Sequence, residues 1–160
     1  MGTPTDIEVR RSLIIDPVFH DTEALLERVA PDVVPWQELN DIGALIQRSV
    51  RASPAMERYL LDLWQATATP GRADVRIAGV DVDKLVLAGA SPRGMMALTR
   101  AARVVAWLAG RDHLLPDDVV SVAPATLAHR IFFTPIYELR RAELADALVA
   151  QILQRVPTPR

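Results

Sequence analysis

Apolar residues recur at helical spacing over most of this chain. Trp36, Leu39, Ile42, Ile46 and Val50 follow one another three or four positions apart, which predicts a helix starting near Pro35. Ser53-Pro54 supplies an N-cap and a first helical residue, and Met56, Tyr59, Leu60, Leu63, Trp64 and Thr67 mark the buried face of the helix it opens. Ser91-Pro92 is a second start of the same kind, for a helix that ends at Gly110 after about 27 Å at 1.5 Å per residue. A last amphipathic helix covers 141–155 with Leu144, Leu148, Ile152 and Leu153 inward, and Val156-Pro157-Thr158-Pro159 cannot continue it. The expected core gathers Ile42, Ile46, Leu60, Leu63, Leu98, Ala102, Val105, Val119, Leu127 and Leu148.

Between these helices the pattern weakens. Residues 1–20 have no clean period, and Leu13-Ile14-Ile15 reads as a short strand or a docked arm. Asp21 or Thr22 caps a short helix through Val29, ended by Pro31. Residues 70–84 combine glycine, proline and charge and read as a loop or irregular ribbon. Leu85-Val86-Leu87 and Ile131-Phe132-Phe133 are short apolar runs that predict a two-stranded ribbon. Pro116-Asp117-Asp118 begins one short helix, with its acids at the positive end, and Pro124 starts another turn through His129.

Half of the 160 residues are hydrophobic, enough for a core. With 18 basic and 20 acidic residues there is no basic excess of the kind that marks nucleic-acid binding. The absence of cysteine removes disulfides and thiolate sites. No apolar run approaches the roughly 20 residues of a membrane helix, and Met1-Gly2-Thr3-Pro4-Thr5-Asp6 is no signal peptide, so a cytoplasmic protein without membrane contact is expected.

Chemistry concentrates in Gly89-Ala90-Ser91-Pro92-Arg93-Gly94, which carries the chain into a helix N-terminus and puts an arginine in the first turn. The helix dipole disfavours a cation there, and an arginine held against it suits an anion that the dipole also attracts. Arg100 lies on the same side and Arg103 about 80° round. The residues alone leave two readings, an anion site or a capped helix with solvated arginines. Met95-Met96 stand where a phosphate loop needs lysine and then serine or threonine, so Gly89 and Gly94 do not form one. Leu13-Ile14-Ile15-Asp16 is a strand end rather than a magnesium site. His20, His113 and His129 are too scattered for zinc, and Asp81-Val82-Asp83 lacks the further ligands of a calcium loop, so no metal site is expected. No serine lies in a hydrolase elbow. An enzyme complete within this chain is therefore not expected.

The order of pieces, with Gly89 to Gly94 followed by Leu98-Thr99-Arg100-Ala101-Ala102-Arg103, Gly110-Arg111-Asp112, Pro116-Asp117-Asp118-Val119, Ala123-Pro124 and His129-Arg130-Ile131, resembles the C-terminal lid of MoxR-type AAA+ ATPases. The likeness covers about 50–160. It implies a separate α/β core that carries the phosphate loop and the magnesium-binding acids, with ATP and Mg2+ bound in the intact ATPase and none in this chain alone. Arg93 is similar to sensor 2, the arginine that approaches the γ-phosphate, and Gly89, Ala90, Ser91 and Pro92 complete its motif. The family also implies a homo-oligomeric ring, often a hexamer, and chaperone-like work with partners that carry von Willebrand factor A domains. Gly94 stands where the family commonly has alanine, and residues 1–30 match poorly.

The expectation is thus a mostly α, small helical bundle with at most one two-stranded β-ribbon. Residues 1–30 form an arm or linker, and 31–160 a lid-like helical domain. Two other readings stand beside the lid: a stand-alone helical protein-interaction module without nucleotide sensing, and a DNA-binding domain in which two short helices at 116–130 imitate a helix-turn-helix.

Overall fold

This computed structural model describes residues 4–29 and 36–159, and within them aspartate and serine side chains cap five of the helical starts. Pro31 and Pro35, expected at helix ends, lie outside it. The chain divides into two units, Met1–Asn40 and Asp41–Arg160.

In the first unit, Asp6 caps α1 (Ile7–Ile15) by accepting from the Glu8 N–H at 2.8 Å. The strand or arm expected at Leu13–Ile15 is thus the last turn of a helix. Asp16 precedes Pro17 and is extended, as the residue before a proline tends to be, so the helix stops there. A 3-10 turn at Pro17–His20 leads to α2 (Thr22–Glu27), which Asp21 caps. No residue of α1 or α2 is buried.

α3 (Trp36–Ser49) runs into the second unit, where its last turn enters the core through Ile46 and Val50. Ile42, expected in the core, is 36% exposed. Beyond the end of the helix, Arg51 accepts from the Leu114 N–H at 2.9 Å and donates to the Asp112 carbonyl at 2.8 Å. Ser53 then caps α4 (Pro54–Ala68), which buries Met56, Tyr59, Leu63, Ala66 and Thr67. Residues 70–84 hold two 3-10 turns, Pro70–Ala73 and Val82–Lys84, pinned by the buried Val75 and Leu85.

β1 (Val86–Ala88) feeds α5 (Pro92–Leu108). α5 ends at Ala109, and Gly110 follows at φ 72°, which glycine adopts at no steric cost. α6 (Pro116–Leu127) makes the most extensive helix contact of the unit, with α5. Ala102, Ala106 and Ala123 are fully buried there, and their small side chains let the two axes approach.

The two short helices expected between 116 and 129 are one. Pro124 sits inside α6, and a 3-10 turn, Ala128–Arg130, follows. An interior proline costs roughly 3 kcal/mol, but Val119, Ala123 and Leu127 bury on one face across it. The pair of short helices that would imitate a helix-turn-helix at 116–130 is therefore not formed.

β2 (Phe132–Phe133) pairs antiparallel with β1, Val86 against Phe133 and Ala88 against Phe132, the ribbon the apolar runs predicted. α7 (Pro135–Glu138) and α8 (Arg141–Arg155) complete the unit, with Leu144, Leu148 and Ile152 inward. Of the other expected core residues, Ile46, Leu63, Leu98, Ala102, Val119, Leu127 and Leu148 are buried, whereas Leu60 and Val105 are half-buried. Among the described residues no helix is long and apolar enough to cross a membrane.

Candidate functional site

Three residues carry the chain from β1 into α5, and the first two are fixed against α4. Gly89 lies so close to α4 that a Cβ there would stand 2.7 Å from both the Cα and the backbone N of Ala68. No larger residue fits without moving a backbone. Ala90 is buried and held at both of its polar groups. Its N–H donates to the Thr67 hydroxyl at 3.0 Å, and its carbonyl accepts from the Trp64 indole N–H at 2.7 Å. The Thr67 hydroxyl completes the circuit by donating to the Trp64 carbonyl at 2.7 Å. Ser91 then caps α5, accepting from the Gly94 N–H at 3.2 Å.

Arg93 emerges from this fixed turn, exposed and, among the described residues, without an ion-pair partner. The first turn of α5 carries no acid, unlike those of α4, α6 and α8. The positive end of the helix and the Arg93 guanidinium therefore add in the same region. Beside it, Gly94 is buried, and a Cβ there would meet Arg130 Cδ at 3.1 Å.

Arg100 and Arg103 are not gathered with Arg93. They line a groove of about 580 Å3 with Leu60, Leu61, Trp64 and Met96. Gln47 bridges them, donating to the Arg100 carbonyl at 3.3 Å and accepting from Arg103 at 3.5 Å.

A second polar cluster lies at the far end of α5. Arg111 and Asp118 meet fork to fork, Nη1 donating to Oδ2 at 2.7 Å, and Oδ2 also accepts the Leu115 N–H at 2.9 Å. Asp118 is 3% exposed, and its hydrogen bonds from Arg111 hold the carboxyl below the usual carboxylate range against the opposing effect of burial. The sequence marked Asp118 only as a helix-start residue; the structure adds the ion pair that closes the α5–α6 loop. Among the described residues no three His, Asp or Glu side chains converge on a point where a metal would sit.

The sequence missed the Thr67–Ala90–Trp64 circuit. Its one signal was a threonine on an otherwise apolar helix face, which the periodicity absorbed as core. The burial of Gly94 under Arg130 joins residues 36 positions apart and had no local signal.

Residues 81–153 match the family model described as the AAA lid domain. Protein MoxR of Methylorubrum extorquens is 45% identical over 99% of this chain and 46% of its own length. Protein MoxR of Paracoccus denitrificans is 43% identical over 99% of this chain and 47% of its own. The crystal structure of a candidate ATPase from Cytophaga hutchinsonii superposes with a TM-score of 0.64 at 27% identity, covering 88% of this chain and 44% of that one. The chain thus spans about half the length of the curated relatives it matches. The exposed arginine at the head of α5, the anchored turn before it and these likenesses agree: the chain belongs to the MoxR-type AAA+ family, of which it carries the lid.

Proposed function

We propose that this lid closes over ATP bound by a separate core and that Arg93 reads the γ-phosphate. The observation that carries the reading is the exposed Arg93 guanidinium in the first turn of α5, on a backbone that Gly89, Thr67 and Trp64 hold in place. Bound to the γ-phosphate, the guanidinium forms charge-assisted hydrogen bonds that tie lid to core, and their loss on hydrolysis frees the lid to swing. The residues of this chain fit one edge of such a site. The phosphate loop and the acids that hold Mg2+ belong to the core. A ring of such subunits, hexameric in the reading drawn from the family, and a von Willebrand factor A domain partner are part of the same proposal. The chain by itself is expected not to hydrolyse ATP, because the lysine and magnesium ligands for the triphosphate lie elsewhere.

Two measurements on Arg93→Ala test the sensor. In the chain alone, stability stays within about 0.5 kcal/mol of the parent, as for most surface substitutions. In a chain joined to its ATPase core, turnover falls by roughly 10³-fold or more, the effect of removing an arginine from transferring phosphate. Normal turnover together with a clear loss of stability would make Arg93 a packing residue and sink the reading.

A further inference from the structure

Gly94 is buried at the head of α5, and what covers it is the side chain of Arg130. A Cβ on Gly94 would lie 3.1 Å from Arg130 Cδ and 3.7 Å from Arg130 Cβ, so the aliphatic stem of Arg130 runs across the first helical turn. The guanidinium carbon is only two bonds beyond that Cδ. It is therefore held beside the turn from which Arg93, the neighbour of Gly94, projects. Glycine at this position makes room for the stem, where an alanine would press on it.

Arg130 is half-buried, and its Nε is buried without a hydrogen-bond partner. Of the other half-buried arginines on and after α5, Arg111 has Asp118, and Arg141 has Glu138 and the Ile131 carbonyl. Arg103 shares the unpartnered buried Nε, while its Nη1 donates to Gln47 at 3.5 Å. Among the described residues Arg130 has no carboxylate within ion-pair distance. A partly desolvated cation left without an anion is costly unless one arrives from outside. Arg93, the residue before Gly94, also has no ion-pair partner among the described residues, but its side chain is exposed.

We propose that Arg130 is a second phosphate-binding arginine, which grips the polyphosphate of a nucleotide together with Arg93 across the first turn of α5. The proposal rests on the reading that Arg93 faces phosphate, and it adds a cation set at a fixed depth by Gly94. Arg93 is exposed. Arg130 is pre-positioned, so less side-chain freedom is lost when the anion binds.

The test uses the chain as it stands, 15N-labelled, titrated with sodium tripolyphosphate and with magnesium-free ATP at low ionic strength, where exposed charges are least screened. The Gly94 amide and the Arg130 Nε–Hε signal are expected to move together and saturably. Arg130→Met keeps the stem over Gly94 and removes the charge, and it is expected to weaken binding at least about tenfold with an unchanged melting temperature. Arg130→Lys is expected to recover part of the loss, and Arg100→Gln, in the groove, to stay within about twofold of the parent. An Arg130 Nε–Hε signal that stands still while Gly94 saturates would overturn the proposal even if Arg130→Met fails to fold. So would parent-like binding by Arg130→Met, or no saturable shift in the parent. If Arg130→Met binds normally and Arg93→Gln does not, only the second arginine falls. If Arg93→Gln binds as the parent does, it is the reading of Arg93 that fails.

Discussion

Replacing Thr67 by valine isolates the hydrogen-bond circuit that places Arg93. Valine has the same shape, so the packing of this α4 position is kept while both bonds of the hydroxyl disappear. The Ala90 N–H, on a residue 5% exposed, loses its partner at 3.0 Å. A buried donor left unsatisfied costs about 1–3 kcal/mol. The added methyl returns up to about 0.8 kcal/mol of apolar burial. The net expectation is a loss of roughly 1–2 kcal/mol, seen as a lower urea midpoint at unchanged slope. Thr67→Ser keeps the hydroxyl and loses only the methyl, so it also costs about 1 kcal/mol, but by leaving a small void. Amide exchange separates the two variants: the Ala90 N–H loses protection in Thr67→Val and keeps it in Thr67→Ser. If Thr67→Val is within about 0.5 kcal/mol of the parent and Ala90 stays protected, the circuit does not hold the turn.

Gly89→Ala drives a Cβ to 2.7 Å from the backbone of Ala68 and should cost roughly 1–3 kcal/mol by thermal unfolding, against the gain that Gly to Ala brings where space allows; an unchanged melting temperature would contradict the close approach. Leu63, fully buried in α4, should lose roughly 2–5 kcal/mol on truncation to alanine in a urea titration, and a loss under about 0.5 kcal/mol would place that face outside the core. The depressed carboxyl of Asp118 stabilises the fold at neutral pH, and that contribution is lost as pH falls from about 4 through its folded value. Asp74, Asp81, Asp112 and Glu143 are also lowered by side-chain hydrogen bonds, from Arg76, Lys84, His113 with Arg51, and Arg140, but these pairs are exposed and salt screens them. The stability gap between the parent and Asp118→Asn, measured in high salt, should therefore shrink below pH 4, and a gap constant from pH 7 to pH 2.5 would show that the ion pair is not its source.

The sequence by itself determined where α4 and α5 begin and where α5 ends, because those signals are local. Ser53-Pro54 and Ser91-Pro92 opened α4 and α5 where expected, and Gly110 closed α5, since a cap acts on N–H and C=O groups within one turn of itself. The ribbon was legible as two short apolar runs, and the order of pieces from Gly89 to Ile131 carried the family. Local signals also misled. Pro124 looked like a new start because proline usually is one, but burial on both sides of it kept α6 continuous. The loose period of residues 7–15 hid a helix that its aspartate caps define. Ile42 kept the period of α3 and yet lies exposed, because period fixes only which residues share a face and not how far along that face a neighbour extends. Only the tertiary structure decided what touches the Arg93 turn: Thr67 and Trp64 beneath Ala90, the backbone of Ala68 against Gly89, and the stem of Arg130 over Gly94. These contacts join residues 21 to 36 positions apart, and their existence depends on side-chain direction and interatomic distance once the helices have packed.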